Sequence, residues 1–273
     1  MAIGRDALYT SPPPMAMDPP WSPRRYVGPF VDAAQARPSF VVQSSFDGAA
    51  VVAMAGREQA ARMLPADLEL ADPVDPSQDT HPVVAVFGTH RRCAVLVAGR
   101  PVGAAPDYRE LILAVPYVRR RGSAWLHLCV VTAHSDAPIT VWNGNVHYGF
   151  VKHGSRLHWS SDLLTVTTAD GRLACHGGVV ADPHPAVPGG DGIRHLQAAL
   201  SLPTIGHRPG AGLVSAYFDW RVADAGVRPA QGYLALDQPV GSLMPCEWQA
   251  AGGGAFVVSD VRWRLSWPHA PRC

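Results

Sequence analysis

Lys152, in the segment YGFVKHG (148–154), is the one lysine of a 273-residue chain whose other 22 basic residues are arginine. Arginine serves as well as lysine for surface charge and ion pairing, but its guanidinium holds its proton at any useful pH. A neutral amine is a nucleophile that condenses with a ketone to give a Schiff base, and the protonated imine is an electron sink for an adjacent carbanion. One lysine kept among arginines therefore points to amine chemistry. If NVHYGFVKH runs as a strand, Val146, Tyr148, Phe150 and Lys152 share one face, and His147, Gly149, Val151 and His153 share the other. The amine then ends an apolar row, where desolvation favours the neutral form, and Tyr148 and Phe150 wall the substrate site. The structural alternative is a lysine whose stem covers apolar surface and whose head stays wet.

Glu110 in DYRELILAVPYV is the second candidate, one of only four glutamates (Glu58, Glu69, Glu110, Glu247). At a strand start, on the face of Ile112 and Ala114, its carboxyl is placed to shuttle protons; the plainer role is an ion pair with Arg109. Twelve histidines raise the question of a metal. Neither HExxH nor a histidine pair with a carboxylate at ligand spacing occurs, so the expectation is no metal. GxSxG, GxGxxG and a phosphate-binding GxxxxGK[ST] loop are absent too.

The elements that must position these residues are mostly strands, cut short by 26 glycines and 26 prolines. SFVVQSSF and AAVVAM read as two strands about a turn at Asp47-Gly48, and GREQAARML as a helix closed by Pro65. HPVVAVFG, RCAVLVAG, ELILAVPYV and AWLHLCVVTA follow as separate apolar runs, and Asp170-Gly171 is a hairpin signal. IRHLQAALSL reads as a short helix after the loop at 182–192. Near the end, Val261, Trp263, Leu265 and Trp267 alternate with Arg262, Arg264 and Ser266, the period of a half-buried strand. The inventory predicts a mainly β, α+β single domain over 39–273 behind a proline-rich arm at 1–38.

Composition narrows the partners. With 47% hydrophobic and 16% charged residues, the chain is long enough and apolar enough to fold around a core. Scattered arginines at a net charge of +1 form no basic stripe for nucleic acid and no patch for a membrane. The five cysteines are odd in number and widely spaced, which reads as reduced thiols in a cytoplasmic protein.

Three segments, in order, resemble the acetoacetate decarboxylase family. AARMLPADLELADP is similar to its helix-end segment, where a Leu-Pro step precedes Leu-Glu and Pro. YRELILAVPYV resembles its Tyr-x-Glu segment, which puts Glu110 on the active-site glutamate. WLHLCVVTA and APITVWNGNVHYGFVKH resemble the run to the Schiff-base lysine, with Gly144 on its glycine, Phe150 on its aromatic and Lys152 on its first lysine. The likeness covers roughly 39–170. It implies a cone-shaped β-barrel with packed sheets and a few short helices, a homo-oligomer, no metal or organic cofactor, and a small-molecule keto substrate. The reaction it implies is imine formation with a β-keto acid, loss of carbon dioxide, protonation of the enamine and hydrolysis.

The departures are specific. His153 stands where the family has a second lysine, and Val151 where it has proline. No arginine lies between Arg37 and Arg57, where the family keeps one for the substrate carboxylate; Arg109 is the candidate substitute, and His153 a further candidate contact for the substrate. Decarboxylation of a keto acid is the simplest expectation. Aldol, dehydration or cyclisation chemistry on a larger keto intermediate of secondary metabolism is the second, and a binding module without catalysis the third.

Overall fold

The β-branched runs fold into strands longer than their turn signals predict. The computed structural model describes residues 18–160, 163–182, 191–236, 247–251 and 253–272. In the first half the strands are β1 (Phe40–Gly56), β2 (Leu68–Leu70), β3 (Thr80–Val97), β4 (Arg100–Ala104), β5 (Tyr108–Arg120), β6 (His127–Ser135) and β7 (Lys152–Ser160). In the second they are β8 (Leu163–Thr168), β9 (Leu173–Ala181), β10 (Thr204–Arg208), β11 (Gly212–Ala216), β12 (Phe218–Arg221), β13 (Gly226–Leu236), β14 (Glu247–Gln249) and β15 (Ala255–Ser266). The helices are short: α1 (Ala33–Ala36), α2 (Arg57–Arg62), α3 (Pro138–Asn143) and α4 (Asp191–Leu200). None of these is long and apolar enough to cross a membrane.

Hydrogen bonding runs β6-β7-β8-β9-β13-β15-β1-β3-β5 and returns from β5 to β6, so nine strands close a ring. Each of the nine sends at least one side chain into a common interior core, from Val51 and Phe87 round to Leu164, Leu234 and Ala255. Side-chain alternation divides the two faces: Ala49, Val51 and Ala53 of β1 point in, while Phe46, Ala50 and Val52 join a second core outside the ring. That outer core is covered by Ile193, Leu196 and Leu200 of α4 and by Phe218 and Trp220 of β12. Burial on both faces explains why AAVVAMAG is apolar throughout instead of alternating. Residues 18–38 pack on the chain's own body: Trp21 is buried edge-on to Phe256, and Tyr26 stacks on Tyr117 at 4.4 Å.

Three local expectations are overturned. Asp47-Gly48 is no turn but the middle of β1, because Gly48 passes Gly88 of β3 so closely that a Cβ would lie 2.2 Å from the Phe87 carbonyl oxygen. HPVVAVFG and RCAVLVAG are one strand, β3, in which Arg92 alone takes a positive φ of 54°. The stretch before Lys152 is helical, not extended: α3 continues into a π-turn at Gly144–Tyr148, and the strand begins only at Lys152. The Asp170-Gly171 hairpin joins β8 to β9 as expected. Trp267 lies beyond the end of β15 and is exposed, off the buried row of Val261, Trp263 and Leu265.

Candidate active site

Pro138 opens α3, its fixed φ and missing N–H suiting a first helical position. Gly149, with φ 65°, ends the following turn in the left-handed region. The turn delivers two residues to Lys152. The Asn145 side chain clasps the Lys152 backbone, its Oδ1 accepting from the Lys152 N–H at 2.8 Å and its Nδ2 donating to the Lys152 carbonyl at 3.0 Å. Gly144 leaves the room that the lysine stem fills: a Cβ there would lie 2.5 Å from Lys152 Cδ.

Register brings the carboxylate to the amine. Ala133 of β6 pairs with Lys152 of β7 on one side and with Ile112 of β5 on the other, and Ser135 pairs with Glu110. Paired residues share a face, so Lys152 and Glu110 meet across β6 above the small side chains of Ala133 and Ser135. Leu111 and Leu113 belong to the interior core, which turns Glu110 outward. The site therefore lies on the outer face of the ring.

There Lys152 Nζ and Glu110 Oε1 form an ion pair, with the two side chains only 10% and 3% exposed. Glu110 Oε2 is 3.3 Å from His90 Nε2, and His90 Nδ1 accepts the indole N–H of Trp263 at 3.0 Å. The His90 ring also stacks on Tyr108 at 4.4 Å. Burial opposes ionisation of Glu110, but the adjacent Lys152 charge and His90 outweigh it and hold the carboxyl down at about 2. Burial lowers the pKa of His90, so the ring is neutral. The pair opens on a cavity of about 820 Å³, within the range of small-molecule sites. Around the amine its walls are Tyr148, Phe150, Ile112 and Trp263, with the Tyr148 and Phe150 rings stacked at 5.6 Å.

No family model matches the sequence, and no curated protein sequence matches it. Solved structures do. The enduracididine biosynthesis enzyme MppR complexed with pyruvate superposes with a TM-score of 0.58 at 16% identity, over 84% of this chain and 89% of that one. Acetoacetate decarboxylase from Legionella pneumophila gives 0.57 at 14% identity, over 84% and 87%. An acetoacetate decarboxylase-like enzyme from Sphingomonas wittichii RW1 gives 0.58 at 16%, over 84% and 91%. The chain has the acetoacetate decarboxylase-like fold.

Within that acetoacetate decarboxylase-like fold, the structure brings together four of the six residues singled out from sequence. Lys152, Glu110, Tyr148 and Phe150 all face the cavity, although helical turns and not strand alternation place the two aromatics. Arg109 and His153 stand elsewhere. Alternation along β5 turns Arg109 from Glu110 to the other side, where it pairs with Asp136 at 3.5 Å. His153 likewise points away from Lys152, its ring 5.2 Å from that of His134. Neither replaces the expected carboxylate-binding arginine. On β1, Gln43 lines the cavity, while Ser44 turns its hydroxyl to the Arg91 carbonyl at 2.7 Å. His90, Trp263 and Asn145 complete the site without having been singled out; nothing in their spacing marks them.

Proposed function

We propose that the protein is a Schiff-base enzyme that acts on a keto substrate, with Lys152 as nucleophile and Glu110 as the group that moves its protons. The observation that carries this reading is the pairing of the chain's single lysine with a buried carboxylate at the base of an apolar cavity. Glu110 Oε1 takes a proton from Nζ, and Nζ adds to the carbonyl carbon. Glu110 returns the proton to the hydroxyl of the carbinolamine, which leaves as water and forms the iminium. Once the amine charge beside it is gone, burial favours the protonated carboxyl, so Glu110 is suited to hold that proton between steps. Cleavage of a bond next to the iminium carbon sends its electron pair to nitrogen and gives an enamine. With a β-keto acid the leaving fragment is carbon dioxide; the enamine then takes a proton at carbon, and water releases the ketone and Lys152.

A second reading has a specific observation behind it. The enamine can attack an aldehyde instead of a proton, and MppR, with the same fold, is also found complexed with the condensation product of pyruvate and imidazole 4-carboxaldehyde. Carbon–carbon bond formation or dehydration then replaces decarboxylation. Borohydride reduction in the presence of acetoacetate, acetone or pyruvate tests the common step: the expected result is the mass of the reduced imine on Lys152, and none in Lys152→Arg. A binding module would hold its ligand equally well with arginine, so full function of Lys152→Arg would sink the proposal. Released carbon dioxide then separates the decarboxylase from the bond-forming enzyme.

A further inference from the structure

The cavity continues well past the amine. From Lys152 it runs to the Ala94–Gly99 end of β3 and to Ser39–Gln43 of β1, and its mouth carries Val95, Val97, Trp142 and Trp267. These four are 47%, 60%, 54% and 58% exposed, an apolar patch of the kind that a ligand or partner covers. Charge is scarce along it. Among the described residues the lining holds two cationic side chains, Lys152 and Arg264. Lys152 is neutralised by Glu110. Arg264 is held by Asp219, with Nη2 at 2.6 Å and Nε at 3.1 Å from Oδ2, and lies over the Phe40 ring at 4.1 Å. The remaining base at the mouth, His147, sits against the Trp142 and Trp267 rings at 5.2 Å and 6.3 Å.

A substrate carboxylate bound beside the imine would share a desolvated space with the Glu110 carboxylate, and the one further cation of the lining, Arg264, already donates to Asp219, which Arg221 shares; burial penalises that arrangement. An aliphatic tail meets the opposite conditions, because each buried methylene is drawn out of water. We infer that the substrate is an uncharged ketone or aldehyde with an extended apolar tail, its carbonyl at Lys152 and its tail along the end of β3, which sets bond formation at the enamine above loss of carbon dioxide. This rests on the imine reading for the position of the carbonyl, while the apolar arm stands on the cavity itself.

Trp142, Trp263 and Trp267 line the cavity, so quenching of tryptophan fluorescence reports occupancy whether or not an imine forms. Titrations would compare acetone, 2-hexanone, 2-nonanone and acetoacetate, each followed by borohydride trapping and intact mass. The expected affinity rises about fourfold per added methylene, with acetoacetate weaker than 2-nonanone. Val95→Asp, at a half-exposed position of the arm, should abolish the gain with chain length, so that 2-nonanone binds no tighter than acetone. Equal affinity for acetone and 2-nonanone, or tighter binding of acetoacetate, would overturn the inference whatever borohydride shows, and leave the apolar mouth to a second copy of the chain. Bound 2-nonanone with Lys152 unmodified would instead support the apolar arm and count against the proposed function.

Discussion

Trp263 donates its indole N–H to His90 Nδ1 at 3.0 Å, and this bond decides which way the histidine faces its proton. An indole nitrogen can only donate, so Nδ1 must accept. Burial keeps the ring neutral, so its one proton sits on Nε2, toward Glu110 Oε2. The carboxylate thus lies between two nitrogens that carry protons, the histidine 3.3 Å from one oxygen and the lysine ion-paired with the other. His90 acts through Glu110 and is a positioning residue; none of its atoms needs to touch substrate.

Loss of that donor should move a pH profile and not merely a rate. In His90→Phe, Oε2 of a buried carboxylate loses the N–H that faces it at 3.3 Å, and its ionised form is less favoured. The acidic limb of imine formation should shift to higher pH, with a rate loss at pH 7 of about tenfold or more, the worth of a hydrogen bond to a charged group. His90→Gln, whose amide can donate, should recover part of both. Trp263→Phe releases Nδ1 and should broaden the profile without removing the nucleophile. A uniform rate loss across pH, with no rescue by glutamine, would assign His90 a packing role only.

Gly144 separates stability from activity. Its backbone is right-handed helical (φ −59°, ψ −46°), so alanine suits the chain and should hold or raise thermal stability. Yet the new methyl would lie 2.5 Å from Lys152 Cδ and 2.8 Å from Cε, which forces the stem aside. A displacement of about 1 Å in a reacting group costs roughly a hundredfold in rate. Borohydride trapping in Gly144→Ala should fall by about that factor at an unchanged melting temperature. Normal trapping would mean that the stem has another path to the cavity.

What the sequence reveals of the site is residue type; what it conceals is local geometry. Lys152 and Glu110 stand out because their types are rare, and a rare type at a buried position points to chemistry without any knowledge of fold. The stretch before Lys152 reads as extended because Val146 and Val151 mimic strand composition, yet it is helical. Pro138 and Gly149 bracket a helix, the one legible sign to the contrary. Turn residues misled in the other direction at Asp47-Gly48, where glycine serves a close strand crossing that depends on Gly88, 40 residues away in the chain. His90 was hidden for a related reason: its partner Trp263 is 173 residues distant, and only the closed ring brings β3 beside β1 and β1 beside β15. The alternation of Val261, Trp263, Leu265 and Trp267 predicts a half-buried face, which holds for the first three; that the face carries a hydrogen bond into the site is not legible in it.

Buried histidines predict how the fold meets acid. Burial lowers the pKa of His81 to about 3 and of His127 and His134 to about 4, and it lowers His90 as well. In the unfolded chain the same rings titrate near the ordinary histidine value of 6.5. Between 6.5 and about 4 the unfolded state therefore binds more protons than the folded one, and stability rises with pH across that window. The contribution is complete above 6.5 and is lost as pH falls, at about 1.4 kcal/mol per pH unit for each proton taken up. Three such rings, His81, His127 and His134, make a slope of roughly 4 kcal/mol per unit at most, steep enough to bring a domain of ordinary stability towards unfolding near pH 5. Urea midpoints at pH 8, 6.5, 5.5 and 4.5 measure it, with the curve flat above 7 and falling below. His134→Gln removes one of these three titrating rings and should flatten the fall by about a third of the slope. A midpoint unchanged between pH 7 and 5 would show that these rings are already protonated in the folded protein.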